Sequence, residues 1–173
     1  MKKIAFSLIA CMSLASGAFA GHQMAGGKDY KGGPATPCFQ DQEFQLDVFG
    51  LYGWSTEGSH DNGFGGGIGA NYFFLRNLGV GVDASVRDAS SALWNASASL
   101  IVRFPIEGST CLAPYILAGG GVQTNGTTHG SFHAGGGLEF RLNPGLGIFG
   151  EGRYIWAGND DQAQARLGVR IVF

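Results

Sequence analysis

The chain ends with Gln-Ala-Arg-Leu-Gly-Val-Arg-Ile-Val-Phe, residues Gln164 to Phe173. Every second residue of this stretch is apolar: Ala165, Leu167, Val169, Ile171 and Phe173. Both of its arginines, Arg166 and Arg170, fall on the opposite face. A period of two is the period of a β-strand, whereas a helix would repeat every three or four residues. The stretch therefore predicts a strand with one apolar and one charged face, which suits a boundary between hydrocarbon and a polar interior.

Seven earlier segments show the same alternation, so the sequence predicts eight strands. They begin near Glu43, Phe64, Leu78, Trp94, Ala113, Phe132 and Leu146. Turn-forming residues separate them, as at Arg76-Asn77 and Asn143-Pro144-Gly145. The fifth segment, Ala113 to Val122, leaves its facing open, because Tyr115 and Leu117 compete with Ile116 and Val122. An even number of strands of roughly 10–12 residues fits a membrane barrel with both termini on the same side.

The first twenty residues have the composition of an export signal. Lys2 and Lys3 precede an apolar run, and Ala18-Phe19-Ala20 offers a cleavage site before Gly21. A lipoprotein signal is the alternative, because Leu8-Ile9-Ala10-Cys11 resembles a lipobox. Residues 21–42 are rich in glycine and polar residues without a period, and they predict an irregular periplasmic arm. Residues 43–173 are then the barrel.

Composition narrows the class of protein. Without Lys2 and Lys3, nine basic residues stand against thirteen acidic ones, a formal charge of −4, which argues against a nucleic-acid partner. No second apolar run is long enough for a membrane helix, so strands must do any spanning. The 31 glycines show no collagen period and are mixed with aromatics and alternating apolar residues, which argues against disorder.

Charged residues within the predicted strands fall opposite the apolar faces. A membrane barrel directs such residues inward, whereas a soluble barrel directs them outward. The predicted interior charges are Asp47, Asp83, Arg87, Arg103, Glu139, Arg141, Glu151, Arg153, Arg166 and Arg170. In so narrow a barrel we expect them to form a buried ion-pair network.

Aromatic residues on the apolar faces lie close to strand ends. They are Tyr52, Trp54, Trp94, Phe104, Phe140, Tyr154, Trp156 and Phe173. Membrane barrels carry aromatic girdles at these positions, whereas a soluble core would place large aromatics in the middle of strands. The pattern therefore predicts an all-β, eight-stranded, antiparallel, up-and-down transmembrane barrel. A soluble periplasmic barrel or sandwich is the alternative.

From Glu43 to Phe173 the pattern resembles the small eight-stranded outer-membrane barrels of the OmpA and opacity-protein type. The alternating segments, the two short turns, the inner Glu and Arg residues and the terminal phenylalanine carry the resemblance. It implies a bacterial outer-membrane location, contact with outer-membrane lipid, and recognition of the last strand by the barrel-assembly machinery. It also implies a monomeric structural or surface protein of the envelope, not an enzyme and without a cofactor. No peptidoglycan-binding domain follows Phe173, so we expect no cell-wall tether.

Two other functions remain open. The first is a small porin-like channel, since inner glycines leave room for a water-filled pocket, although Phe49, Phe73 and Phe149 would obstruct it. The second is a lipid A deacylase-type enzyme, because His129 and Ser131 resemble the histidine and serine of those barrels. In that case Ser131 would be the nucleophile, His129 the base and Glu139 the orienting acid.

Two cysteines, Cys38 and Cys111, remain after the signal. An exported protein with two cysteines is expected to pair them. In an up-and-down barrel both would lie at the periplasmic rim, so a disulfide would draw the arm beneath the barrel mouth. The four histidines show no metal-binding spacing with these cysteines, and we predict no metal site.

Overall fold

Eight antiparallel strands close into a barrel in chain order. The computed structural model describes residues 37–56, 62–88, 92–106, 111–157 and 161–173. The strands are β1 (Glu43–Ser55), β2 (Gly63–Leu75), β3 (Leu78–Asp88), β4 (Ala92–Arg103), β5 (Leu112–Thr124), β6 (Thr128–Asn143), β7 (Leu146–Trp156) and β8 (Gln162–Val172). The predicted number and order of strands are thus confirmed. The predicted signal at residues 1–20 and the arm residues 21–36 lie outside the described residues.

No helix in the described part of the chain is long and apolar enough to cross a membrane.

The barrel closes where β1 pairs with β8. The register runs from Gln45 opposite Val172 to Ser55 opposite Gln162. Beyond the strand, the amide of Phe173 donates to the carbonyl oxygen of Phe44 over 2.9 Å, and their rings are 6.0 Å apart. The amide of Phe44 also donates to the carbonyl oxygen of Phe173 over 3.4 Å. The terminal residue therefore extends the closing pair by two more hydrogen bonds and one aromatic contact.

The two faces of the wall differ in chemistry. On β8, Leu167 is 73% exposed whereas Arg166 and Arg170 are each 4% exposed. The same alternation runs along β1, where buried and exposed residues follow one another from Glu43 to Trp54. The wall thus presents apolar side chains outward and polar side chains inward, the reverse of a soluble barrel.

The open facing of β5 is resolved by the structure. Tyr115 and Leu117 point inward and are 3% and 4% exposed, whereas Ile116 and Val122 point outward and are 57% and 47% exposed. Tyr115 faces inward because its hydroxyl group donates to Glu151 Oε2 over 2.9 Å inside the barrel. An aromatic residue with a polar tip therefore belongs to the polar face here.

The connections are short at both ends of the barrel. Arg76-Asn77 joins β2 to β3 and Pro144-Gly145 joins β6 to β7, on the side of the barrel where β1 begins and β8 ends. We call this side the terminal end and the other the loop end. At the loop end Gly126 adopts a φ of 80°, a conformation that a glycine accepts without steric cost.

We expect a charge on the outer face of β8 to destabilise the barrel according to depth. Leu167 lies at the middle of β8, so Leu167→Arg would place a guanidinium in hydrocarbon and cost about 2–4 kcal/mol of unfolding free energy. Ala163→Arg, on the same face near the loop end, is the matched control and should cost only about 0–1 kcal/mol. Reversible denaturant unfolding in lipid vesicles measures both values. Equal costs at the two positions would contradict a lipid-facing surface.

Candidate functional site

The interior of the barrel contains charged side chains contributed by most of its strands. Among the described residues, all ten charges that the sequence places inside lie on the inner face, and Glu43 joins them at the first position of β1. Sequence reasoning missed Glu43 because it begins the first strand, where no preceding alternation assigns its facing. Most of these charges form two ion-paired clusters, one above the other.

The cluster nearer the terminal end, which we call the basal cluster, is a continuous chain of ion pairs. Glu43 Oε1 lies 2.7 Å from Arg103 Nη1 and 2.5 Å from Arg141 Nη2. Arg141 Nε lies 2.5 Å from Glu139 Oε1, and Glu139 Oε2 lies 2.5 Å from Arg170 Nη1. The chain thus links β4, β1, β6 and β8 through side chains that are almost completely buried.

Arg170 ends this chain with a bidentate contact. Its Nε and Nη2 atoms each lie 2.7 Å from a carboxylate oxygen of Asp47. Asp47 also accepts a hydrogen bond of 2.8 Å from Asn71 Nδ2. The register of the closing pair produces this contact, because it places Asp47 directly opposite Arg170. Two parallel N–H···O bonds give this pair a fixed geometry as well as attraction.

The cluster nearer the loop end, the upper cluster, is centred on Asp83. Asp83 accepts from Arg153 Nη1 at 2.9 Å and from Arg166 Nη1 at 2.8 Å. Arg153 also pairs with Glu151, whose other oxygen accepts from Tyr115. Strands β3 and β7 stand opposite each other in the ring of eight, so the Arg153–Asp83 pair crosses the full width of the interior. These partners could not be predicted from the sequence, because they depend on the stagger between strands.

Arg87, the remaining predicted interior charge, is 3% exposed and lies closer to the loop end. Its guanidinium packs against the backbone at Gly53, where an added Cβ would overlap it.

Aromatic rings fill the space that interior glycines leave. A Cβ added to Gly168 would lie 2.7 Å from the ring of Phe149, and one added to Gly137 would lie 2.7 Å from the ring of Tyr115. Arginines stack on these rings: the Arg170 guanidinium is 4.6 Å from the centre of Phe149, and that of Arg166 is 4.8 Å from the centre of Phe49. The cavity among these side chains is about 20 Å³, enough for about one water molecule. Between the two clusters, the described side chains therefore leave much less room than the glycine content suggested.

The terminal end is closed by the arm. Cys38 and Cys111 are joined by a disulfide with Cα atoms 5.7 Å apart, as the sequence predicts. The next residue, Phe39, is 0% exposed. Its ring centre lies 5.0 Å from the guanidinium carbon of Arg103 and 4.9 Å from that of Arg141. Phe39 therefore caps the basal cluster from below, a position that the aperiodic arm sequence did not reveal.

The three residues of the deacylase hypothesis do not come together. His129 is exposed at the loop end, whereas Ser131 is 5% exposed inside the barrel. Glu139 lies eight residues further along β6, which corresponds to about 26 Å in an extended strand. There it is held by Arg141 and Arg170 in the basal cluster. It cannot orient His129 for proton transfer.

Another serine–histidine pair does form inside the barrel. Ser99 Oγ lies 2.8 Å from Nε2 of His133, and both side chains are buried. Within the described residues, no group of three or more His, Cys, Asp or Glu side chains could hold a metal ion.

The outer surface carries aromatics at both ends. The eight residues of the predicted girdle all lie on the outer face. Tyr52, Trp54, Trp94, Tyr154 and Trp156 lie toward the loop end, and Phe104, Phe140 and Phe173 lie toward the terminal end. Phe64 and Phe132 extend the first group and are 75% and 73% exposed. Tyr154 is tied to the rim, because its hydroxyl group lies 3.1 Å from Thr56 Oγ1 and 3.2 Å from Asp161 Oδ2.

Comparisons with known proteins agree with this architecture. A family model described as outer membrane protein beta-barrel domain matches residues 6–173. The N-terminal barrel of OprF from Pseudomonas aeruginosa is similar in structure, with a TM-score of 0.63, 17% identity, and coverage of 77% of this chain and 98% of that one. Neisserial surface protein A has a TM-score of 0.60, 20% identity, and coverage of 75% and 95%. Ail, the attachment invasion locus protein of Yersinia pestis, has a TM-score of 0.59, 17% identity, and coverage of 78% and 100%. No curated protein is detectably similar in sequence.

We expect Arg170→Met to destabilise the barrel by about 3–5 kcal/mol, because it leaves the carboxylates of Asp47 and Glu139 buried without their shared partner. Asp88→Asn is the control, since Asp88 is an exposed charge at the end of β3 and its loss should change stability by less than about 0.5 kcal/mol. Denaturant unfolding of both variants in lipid vesicles gives the comparison. A loss below about 1 kcal/mol for Arg170→Met would show that the basal cluster contributes little.

Proposed function

The chain belongs to the outer membrane beta-barrel family, and from this membership we propose that it is a closed structural barrel of the bacterial outer membrane. In this proposal the loop end faces the outside of the cell and the terminal end faces the periplasm, as in bacterial barrels with short periplasmic turns. We further propose that the protein is a monomer with a structural role in the envelope, and that it neither catalyses a reaction nor transports a solute.

The observation that carries the proposal is the filled interior. Ion pairs cross the barrel at two levels, and a cavity of about 20 Å³ is enclosed by both clusters and the aromatic rings. An ion passing through would have to separate buried pairs such as Arg103–Glu43 at one level and Arg153–Asp83 at the other. Breaking such pairs costs several kcal/mol each, so steady conduction is unfavourable.

The short connections at the loop end support a structural role over a large recognition surface. Three to seven residues separate the strands there. Receptor and adhesin functions usually rely on longer loops. The name of Ail refers to attachment and invasion, but the similarity at 17% identity extends to the fold alone.

We expect the purified wild-type protein to show no discrete, reproducible openings in a planar lipid bilayer. The double variant Arg153→Ala with Arg166→Ala removes both cations from Asp83. We expect water to enter the upper half of its interior, but the basal cluster should stay closed, so this variant should show no openings either. Leu138→Ala on the outer face, where the side chain is 54% exposed, is the matched control. Reproducible openings of the wild type, present also in Leu138→Ala, would overturn the structural proposal in favour of a small channel.

A further inference from the structure

Residues 38–42 cross the mouth at the terminal end of the barrel, which the proposed function places in the periplasm, from one side to the other. The disulfide fixes Cys38 to Cys111, which immediately precedes β5. The other end of the segment runs into Glu43 at the start of β1. Because β1 and β5 stand opposite each other in a closed ring of eight, the segment must span the opening.

The segment also fills the opening that it crosses. Phe39 is completely buried and lies against Arg103 and Arg141. The carbonyl oxygen of Gln40 accepts from Arg103 Nη2 at 3.1 Å, and Asp41 accepts from the amide of Arg76. These contacts reach β4, β6 and the β2–β3 turn, so the segment seals against several sides of the mouth.

We propose that residues 38–42 form a plug and that the Cys38–Cys111 disulfide is its latch, a site of thiol–disulfide exchange with periplasmic dithiol oxidoreductases. The plug remains seated while the disulfide is intact. Reduction of the disulfide allows Phe39 to leave the mouth of the barrel, and water then reaches the basal cluster. Within the described residues, the covalent connections of the plug to the barrel are the disulfide and Glu43. Without the disulfide Glu43 alone would remain, and segments near a chain end fray unless they are tied down.

The exchange transfers two electrons from the dithiol to the disulfide in two steps. A thiolate of the dithiol attacks one sulfur of the disulfide and forms a mixed disulfide, and the displaced cysteine thiolate takes up a proton. The second thiolate of the dithiol then attacks the mixed disulfide and releases the other cysteine. The dithiol is oxidised by two electrons to a disulfide, and Cys38 and Cys111 are reduced to two thiols. Closure is the reverse reaction, with an oxidised partner as electron acceptor.

The position of the disulfide allows such an approach. Both cysteines are only partly buried. A crevice of about 310 Å³ lies beside Cys38, between the plug and the end of β8, and Cys38, Gln40 and Phe173 line it. The two cysteines are therefore partly accessible at the rim, whereas Phe39, the side chain that they hold in place, is completely buried.

An introduced thiol above the plug tests this proposal. Gln45 is 0% exposed and donates from Nε2 to Glu43 Oε1 over 2.5 Å, so it lies just inside the seal. Gln45→Cys would be compared in three forms of the detergent-solubilised protein: with the disulfide intact, with Cys38→Ser and Cys111→Ser, and with Phe39→Ala and the disulfide intact. The readout is the labelling rate by a charged methanethiosulfonate reagent, after peptide mapping has verified the disulfide.

We expect labelling to be at least about tenfold faster in the second and third forms than in the first, because local opening sets the access of the reagent. Gln123→Cys, 5% exposed near the loop end, is the control and should label at the same rate whether or not the latch is present. Heat-modifiable migration on a gel verifies that each variant is folded. If the serine form does not fold, the latch is tested by comparing labelling of Gln45→Cys in the folded protein before and after its disulfide is reduced with dithiothreitol, and equal rates would then overturn the latch.

Equal labelling of Gln45→Cys in all folded forms would overturn the proposal, as would faster labelling of both introduced thiols, which indicates general loosening of the barrel. Fast labelling only in the serine form would assign the seal to the disulfide and its connections rather than to Phe39, and would overturn the plug. The conductance of the wild type does not enter this test, so its outcome is independent of the proposed structural function.

Discussion

The antiparallel pairing of β1 with β8 is the constraint on which the rest of the structure depends. It removes the last free edges of the sheet, which could not persist in hydrocarbon without hydrogen-bond partners. It also fixes the register that sets Asp47 opposite Arg170 and Leu51 opposite Arg166. A shift of one residue would turn the arginines of β8 toward lipid. The register of the closing pair therefore also determines which way these charges face.

Closure in a membrane creates a second constraint, because apolar side chains are needed outside and the narrow interior must then be filled by polar ones. Burying six arginines and five acids is costly unless each finds a partner. The basal and upper clusters meet this cost by sharing partners. In the basal cluster Glu43 pairs with two arginines, and Glu139 pairs with one of these, Arg141, and also with Arg170. The rings of Phe49, Phe73 and Phe149 occupy the rest of the space, and inner glycines provide the room that these rings need.

Most of the fold could be predicted from the sequence, but less of the interior site could be. Alternation of residues such as Leu167 and Arg166 was enough to predict the strands and their facing, because burial imposes a period of two on each strand. It failed to decide β5, which carries no charged residue within the strand to mark its inner face, so that Tyr115 and Ile116 were equally eligible. Partners such as Arg153 and Asp83 could not be predicted, since they are separated by 70 residues and meet only through the stagger of the closed barrel.

The arm and the basal cluster stabilise each other. Glu43, Arg103 and Arg141 lie at the end of the barrel, where water would otherwise reach them and screen their attraction. Phe39 excludes that water, and the three side chains are at most 4% exposed. The guanidinium groups of Arg103 and Arg141 in turn pack against the ring of Phe39. These cation–π contacts strengthen when they are desolvated. A change that loosens the arm therefore weakens the ion pairs, and a change that removes an arginine loosens the arm. The disulfide acts on this coupled unit from outside, because it limits how far the arm can move without contributing to the contacts themselves.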